Sequence, residues 1–357
     1  FKQKTAYEIR LSLVGSEMCI RDRSQGGSKM RMPPFNLHNP STLEDALTMA
    51  SELESSGEEF DWISGGTDLI PNYKWHLNTK KNVISLSGIE ELHELGTNKI
   101  GAMVTLQELV ESSSVHPLIS EAASKVASIM VRRSATLGGN ICLDTRCFWY
   151  NQTEQWRESI DWCHKCDCGT GADCRVIPNQ NELCVATYQA DMAPVLMCLE
   201  AVIHLSSPRG SRSMPINEFF KLDGMTKNVL EIGEIVTHVT LPENHSEWKG
   251  DYQKLRQRES WDFPEAGVAV TWKMGANGPS ELRVATTGLE SIPSLHIEEA
   301  SRALENWNGQ ESVSSLSESI RKSVKPVLNT WFPPSYRRKM VKVLTRRACK
   351  GILEDQS

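Results

Sequence analysis

The chain has 357 residues, 39% of them hydrophobic and 24% charged, and a formal net charge of −6. That length suits about two or three domains, and the mild acidity argues against a nucleic-acid-binding surface built on bulk positive charge. No stretch carries the roughly 18 apolar residues of a membrane span and nothing resembles a secretory signal, so a cytoplasmic location is expected.

Residues 1–29 have poor periodicity and read as a foreign or disordered tail, with the folded protein expected from Met30 or Met32. After Pro33-Pro34, the run Ser41-Thr42-Leu43-Glu44 reads as a capping box. Leu43, Ala46, Leu47 and Ala50 then mark the apolar face of a helix. A short strand at Trp62-Ile63 leads into Ser64-Gly65-Gly66-Thr67-Asp68-Leu69. Glycines directly after a strand let the backbone approach a ligand closely, and successive N–H groups there can form an anion-binding nest. Double glycines also occur in plain turns. Val83–Leu86 and Ile100–Val104 read as further strands, and Thr105 with Glu108 as a second capping box.

A helix through Val126 and Met130 is expected to end at Arg132-Arg133, ahead of Ser134-Ala135-Thr136-Leu137-Gly138-Gly139-Asn140. This second glycine turn lies about 70 residues after the first. The pair could cradle one extended phosphate-bearing cofactor from two sides. Neither turn fits G-x-G-x-x-G or the P-loop pattern, so neither a Rossmann fold nor a P-loop is indicated. Further on, 193–199 reads as a helix and 201–205 as a strand. Residues 209–212 read as a hairpin tip, 215–220 as a short helix and 234–241 as a strand. Residues 252–258, 267–272 and 282–287 read as strands, followed by helices from Ile297. The basic run at Arg337, Arg338 and Arg346 reads as a solvated helix face, with a subunit contact as the rival.

Eight of the ten cysteines fall between residues 134 and 200: Cys142, Cys147, Cys163, Cys166, Cys168, Cys174, Cys184 and Cys198. Such density points to a metal or iron-sulfur site or a disulfide knot rather than to scattered buried thiols, and a reducing compartment disfavours disulfides. Four thiolates suit tetrahedral zinc or an iron-sulfur cubane. Cys163-x-x-Cys166 alone favours zinc, whereas the long gap from Cys147 to Cys163 does not match a compact zinc knuckle.

Four local signatures, SGGTDLIP (64–71), ATLGGN (135–140), ADMAP (190–194) and YQKLRQRESWDFP (252–264), occur in one order. With them the chain resembles the flavoprotein subunits of the molybdenum hydroxylase (xanthine dehydrogenase and carbon monoxide dehydrogenase) superfamily. Within it the 4-hydroxybenzoyl-CoA reductase beta subunit is most similar, and the resemblance covers Met32 to the C-terminal helices. It implies an α+β chain: a two-subdomain FAD-binding fold with an inserted Cys-rich iron-sulfur loop, then a C-terminal domain of antiparallel sheet plus helices. The expected units are 30–92, 93–243 (with the cysteine loop at 142–186) and 244–357.

The resemblance further implies FAD held by Ser64, Gly65, Gly66, Thr67 and Asp68 at the pyrophosphate. Thr136, Gly139 and Asn140 would line the opposite side, with Asp191 at the ribityl or ribose region and Lys254 near the flavin. It implies a [4Fe-4S] cluster on Cys147, Cys163, Cys174 and Cys184, with Cys166 and Cys168 as rival ligands and Cys142 and Cys198 structural. The implied activity is electron transfer in a molybdenum-dependent oxidoreductase, reductive towards an aromatic CoA thioester. The alternatives are the flavin subunit of an oxidative molybdenum hydroxylase and a non-catalytic zinc-stabilised scaffold. Implied partners are a small [2Fe-2S] subunit and a large molybdopterin-binding subunit, in a dimer of heterotrimers, with ferredoxin as a candidate donor. No general acid, base or nucleophile is expected; His164 and His204 read as loop and core residues.

Overall fold

The structure is a computed structural model that describes residues 32–165, 173–179 and 182–356. The tail at 1–29, Cys166 and Cys168 lie outside the described residues. Three sheets organise the chain. In the first, β1 (Asn36–His38), β2 (Phe60–Ile63) and β3 (Asn82–Ser85) pair in parallel in the order β1-β3-β2. Parallel neighbours need a crossover: the segment containing the helix Leu69–Lys74 joins β2 to β3, while the helix Leu43–Ser55 carries the chain from β1 to β2 on the far side of β3. β3, paired on both sides, is buried along its whole length, as a central parallel strand should be. The N-cap of that helix is Thr42 rather than Ser41: its hydroxyl accepts from Asp45 N at 3.1 Å, one residue later than the capping-box reading. The box at Thr105 and Glu108 is complete.

The second sheet is antiparallel, in the order β4 (Lys99–Gly101), β7 (Ile235–Thr240), β5 (Val202–Ser207), β6 (Gly210–Pro215). Ile100, Ile203, Leu205 and Val239 from its strands join the apolar helices Pro117–Ser124 and Met192–Cys198 in the largest core. The hairpin tip sits at Pro208-Arg209, because Ser207 already pairs with Gly210. The helix expected through Val126 and Met130 is instead two, Pro117–Ser124 and Ile129–Arg132. Ala127, at φ +40°, breaks it by turning the backbone left-handed.

The third sheet, also antiparallel, runs β11 (Ser294–Leu295), β10 (Gly278–Thr287), β9 (Ala266–Gly275), β8 (Lys249–Leu255). Val268, Val270 and Val284 pack against Val313, Leu316 and Ile320 of the helix Gln310–Ser323 and Val341 and Leu344 of the helix Pro334–Ala348. The basic run is not uniformly solvated. Arg337 is completely buried, donating to Glu265 O at 2.9 Å, Val327 O at 3.0 Å and Gly288 O. A buried guanidinium of this kind closes chain segments by satisfying several carbonyls at once.

The cysteine-rich insertion differs most from expectation. Among the described residues no three His, Cys, Asp or Glu side chains are grouped to hold a metal ion. That overturns the inserted iron-sulfur loop expected on Cys147, Cys163, Cys174 and Cys184. Cys147, Cys163 and Cys184 instead pack as buried apolar side chains with Leu77, Tyr150 and Ala186. Burial pushes the Cys147 thiol up to about 12 and the Cys184 thiol up to about 11, which keeps both neutral. The buried Cys174 sulfur accepts from Ile177 N at 3.4 Å.

Polar anchors hold the loop. Arg157, fully buried, donates to His76 O at 2.8 Å, with its guanidinium over the Trp162 ring at 5.2 Å. Arg146 and Thr187 exchange both backbone hydrogen bonds at 2.7 Å. Asn329 Nδ2 reaches Val185 O at 2.6 Å and Thr187 Oγ1 at 2.8 Å. Each such buried bond contributes about 1 kcal/mol net, and together they offset part of the entropy lost in ordering the loop.

Candidate functional site

The two glycine turns touch. A Cβ on Gly65 would stand 1.6 Å from Ser134 O, and one on Gly139 would stand 2.8 Å from Ser64 Oγ. Gly66, at φ +66°, provides the left-handed step that swings the chain from β2 into the helix Leu69–Lys74. Along this joint runs a cleft of about 710 Å³. Of the expected contacts, Ser64, Gly66, Thr67, Asp68, Thr136, Gly139, Asn140 and Asp191 line it. Gly65 is used at the turn-to-turn contact, and Lys254 lies one layer behind.

The turns offer different chemistry. In the first, Ile70 N already donates to Gly66 O and Pro71 has no N–H, so the N–H groups of Gly66, Thr67 and Asp68, with no acceptor among the described residues, are those that can face an anion. The second has its amides committed: Leu137 N donates to Val104 O, Gly138 N to Ala102 O and Gly139 N to Thr136 Oγ1. It therefore presents side chains. Asn140 Oδ1 accepts from Met192 N at 3.1 Å, which leaves its amide NH₂ uncommitted within the described residues.

Charge in the cleft is balanced by residues that sequence reading missed. Asp68 pairs with the guanidinium of Arg146 and accepts from Asn72 Nδ2 at 3.2 Å. Arg146 is buried, stacks 4.8 Å from the Phe263 ring, and has no partner for Nε among the described residues. Burial pushes its guanidinium down to about 10, still charged at neutral pH. Pairing with it removes the repulsion that a bare Asp68 carboxylate would exert on a phosphate.

At the other side of the cleft both oxygens of Asp191 are held, Oδ1 by Tyr252 OH at 2.7 Å and Oδ2 by Lys254 Nζ at 2.9 Å. Lys254 is almost fully buried and also donates to Lys125 O at 2.9 Å. Burial lowers its pKa and the Asp191 carboxylate opposes that shift. Burial raises the Tyr252 hydroxyl well above its ordinary value, so it stays a donor. The exposed rings of Trp261 and Phe263 stand at the rim, and Trp261 N donates to Ala127 O at 3.2 Å. Long range in sequence, these contacts had only one local trace, the alternating Tyr252-x-Lys254 pattern of β8.

An elongated cleft with a glycine-bordered anion nest, uncommitted amide and hydroxyl donors and an aromatic rim fits a dinucleotide. Residues 33–244 match the family described as FAD binding domain in molybdopterin dehydrogenase. The aldehyde oxidoreductase FAD-binding subunit PaoB of Escherichia coli K12 is 29% identical over 280 residues, covering 73% of this chain and 83% of that protein. The carbon monoxide dehydrogenase medium chain of Afipia carboxidovorans is 25% identical, covering 88% and 95%. In fold, the chain superimposes on quinoline 2-oxidoreductase from Pseudomonas putida 86 with a TM-score of 0.72 at 18% identity, covering 92% of this chain and 99% of that one. This chain belongs to the family of FAD-binding domains of molybdopterin dehydrogenases and is an oxidoreductase subunit.

Proposed function

We propose that the chain is the FAD-holding, electron-transfer subunit of an oxidative molybdenum hydroxylase, working beside a small [2Fe-2S] subunit and a large molybdopterin-binding subunit. The observation that carries this reading is the cleft bordered by both glycine turns, with the Asp68–Arg146 and Asp191–Lys254 pairs in its walls. The oxidative direction is preferred because the reductive alternative depends on a cluster for which the described residues provide no ligand group. The names of the relatives, an aldehyde oxidoreductase, a carbon monoxide dehydrogenase and a quinoline oxidoreductase, support the same direction.

FAD, when bound, supplies exchange between one-electron carriers and a two-electron acceptor. The chain supplies placement. The backbone from Ser64 to Asp68 would hold the pyrophosphate, while Thr136 and Asn140 offer side-chain donors from the opposite side and Gly139, with no side chain, leaves room there. Lys254 and Tyr252 fix the Asp191 carboxylate so that it presents one orientation to the ribityl or ribose hydroxyls. Trp261 and Phe263 limit water at the rim. The match ending at residue 244 and the three separate sheets support dividing the chain near 92 and 243.

The test is anaerobic mixing of the purified complex with aldehyde or nitrogen-heterocycle substrates, following flavin absorbance near 450 nm. Bleaching by an oxidisable substrate is expected. No bleaching with any of them, together with dehydroxylation of an aromatic thioester under strong reductant, would reverse the direction.

A further inference from the structure

The helix Pro334–Ala348 and the segment before it carry features that the flavin cleft does not use. From Pro334 to Lys350 the sequence has seven cations and no carboxylate, in a chain whose net charge is −6. Arg337 is spent inside the fold, but Lys339 and Arg346 are exposed and have no acidic partner among the described residues. With Lys342 they stand at i, i+3 and i+7, one stripe of the helix. The stripe borders a groove of about 440 Å³ against the helix Gln310–Ser323. One anion is present there: Glu318 accepts from Arg321 Nε at 3.0 Å and from Lys342 Nζ at 2.8 Å. It neutralises part of the groove and leaves the outer cations unbalanced.

The same helix begins in an aromatic patch. Trp331 is 69% exposed, and Phe148 and Tyr336 are each 41% exposed. The Phe148 and Trp331 rings meet edge to face at 5.6 Å, and Phe148 N donates to Asn329 O at 2.8 Å. The cysteine-rich insertion therefore meets the C-terminal helices at the surface, with large apolar area facing water. Grouped aromatic side chains with Arg are the composition of interface centres and a charged surround is that of the rim, whereas isolated exposed apolar residues are ordinary.

We propose that the Phe148–Trp331–Tyr336 patch and the Lys339–Lys342–Arg346 stripe form one docking surface for an acidic face of a permanent partner subunit. The charge complementarity is set by the unbalanced cations, and the aromatic rings fill the centre. A permanent partner is chosen over a passing carrier because the exposed, touching Phe148 and Trp331 rings, with Tyr336 exposed on Phe332 next along the chain, would favour association of the unassembled chain if left in water. The proposal rests on the reading above that the chain works inside a complex, and it adds which face is used.

The test uses the co-produced complex carrying Lys339→Glu with Arg346→Glu, and separately Trp331→Ser. Assembly is read by native mass spectrometry and light scattering at 0.1 and 0.5 M salt, and FAD per chain is measured on each isolated variant chain. Both variants should keep FAD and a wild-type melting temperature. The charge variant should lose complex at least about tenfold at low salt, with wild type approaching it at high salt; Trp331→Ser should lose complex at both. Intact complex with both variants would overturn the proposal. So would intact complex with slowed electron delivery from a soluble acidic protein, which would make the occupant transient. A wild-type chain that self-associates through this face, dissociated by either variant, would also overturn it. Loss of FAD from wild type would count against the cleft instead, leaving the docking result separately readable.

Discussion

Gly65 offers the most direct perturbation of the cleft, because the glycine joins the two turns rather than lining the cavity. A Cβ there would lie 1.6 Å from Ser134 O and 3.1 Å from Ala135 N. A carbon–oxygen contact needs roughly 3.3 Å, so Gly65→Ala must drive the turns apart by about 1.5 to 2 Å. Neither side can yield cheaply, since both contacts are to backbone. Overpacking of this sort costs roughly 1–3 kcal/mol. If the displaced turns lose a comparable amount of binding energy, Kd for FAD rises about ten- to hundredfold at 1.4 kcal/mol per decade. Gly57→Ala is the control, with φ at +69° and open space around the added carbon. It costs backbone strain of about 1–2 kcal/mol but should leave FAD affinity unchanged. Fluorescence titration of FAD into the apo chain, with melting curves for each variant, provides the comparison. An unchanged Kd for Gly65→Ala would refute the idea that contact between the turns builds the site.

Removing the partner of Asp191 should be costly: Lys254→Met leaves a buried carboxylate unpaired and should lower stability by about 3–5 kcal/mol in urea unfolding. The double variant with Asp191→Asn should recover a measurable part, and failure to recover any would mean the pair is not coupled. Arg337→Met leaves three carbonyls without their donor and should destabilise the chain by several kcal/mol, roughly 1–3 for each unsatisfied group, with FAD contacts intact. Acid sensitivity follows from two histidines. Burial, then the stacked His204 ring 4.1 Å away and Lys99, pushes His238 down to about 4; burial pushes His296 to about 4 as well. The unfolded chain takes up these protons near pH 6.5 while the folded chain resists until about 4. Their stabilising effect is thus full above pH 6.5 and is lost as pH falls towards 4. Melting temperatures measured from pH 7 to 4.5 should decline, and less steeply for His296→Gln; parallel curves would remove His296 from the explanation.

The readable parts of this protein were those encoded by neighbouring residues. Strand-then-glycine runs at 60–66 and hydroxyl-glycine runs at 134–140 identify turns because backbone freedom is a local property. Thr105 with Glu108 shows the same. Arg146, Arg157 and Arg337 were not recognisable as interior residues, since their hydrogen-bond partners lie between 8 and 82 positions away and many are backbone carbonyls without a sequence signature. Ala127 was missed because alanine favours helix, and the residue that binds its carbonyl, Trp261, is far away in sequence. The cysteines misled for a different reason. Density in sequence reports the number of thiols in a loop, but a thiol is also a small apolar side chain. Cys147, Cys163 and Cys184 fill space beside Leu77 and Tyr150 while arginines and Asn329 hold the backbone in place.

The central claim is that the joint between the two glycine turns holds FAD by its pyrophosphate. Calorimetric titration of the apo chain with FAD, alone and after saturation with ADP, tests it most directly. One FAD per chain is predicted, with ADP weakening the apparent FAD affinity and riboflavin binding far more weakly than FAD. Riboflavin binding as tightly as FAD, or FAD binding indifferent to saturating ADP, would contradict the account.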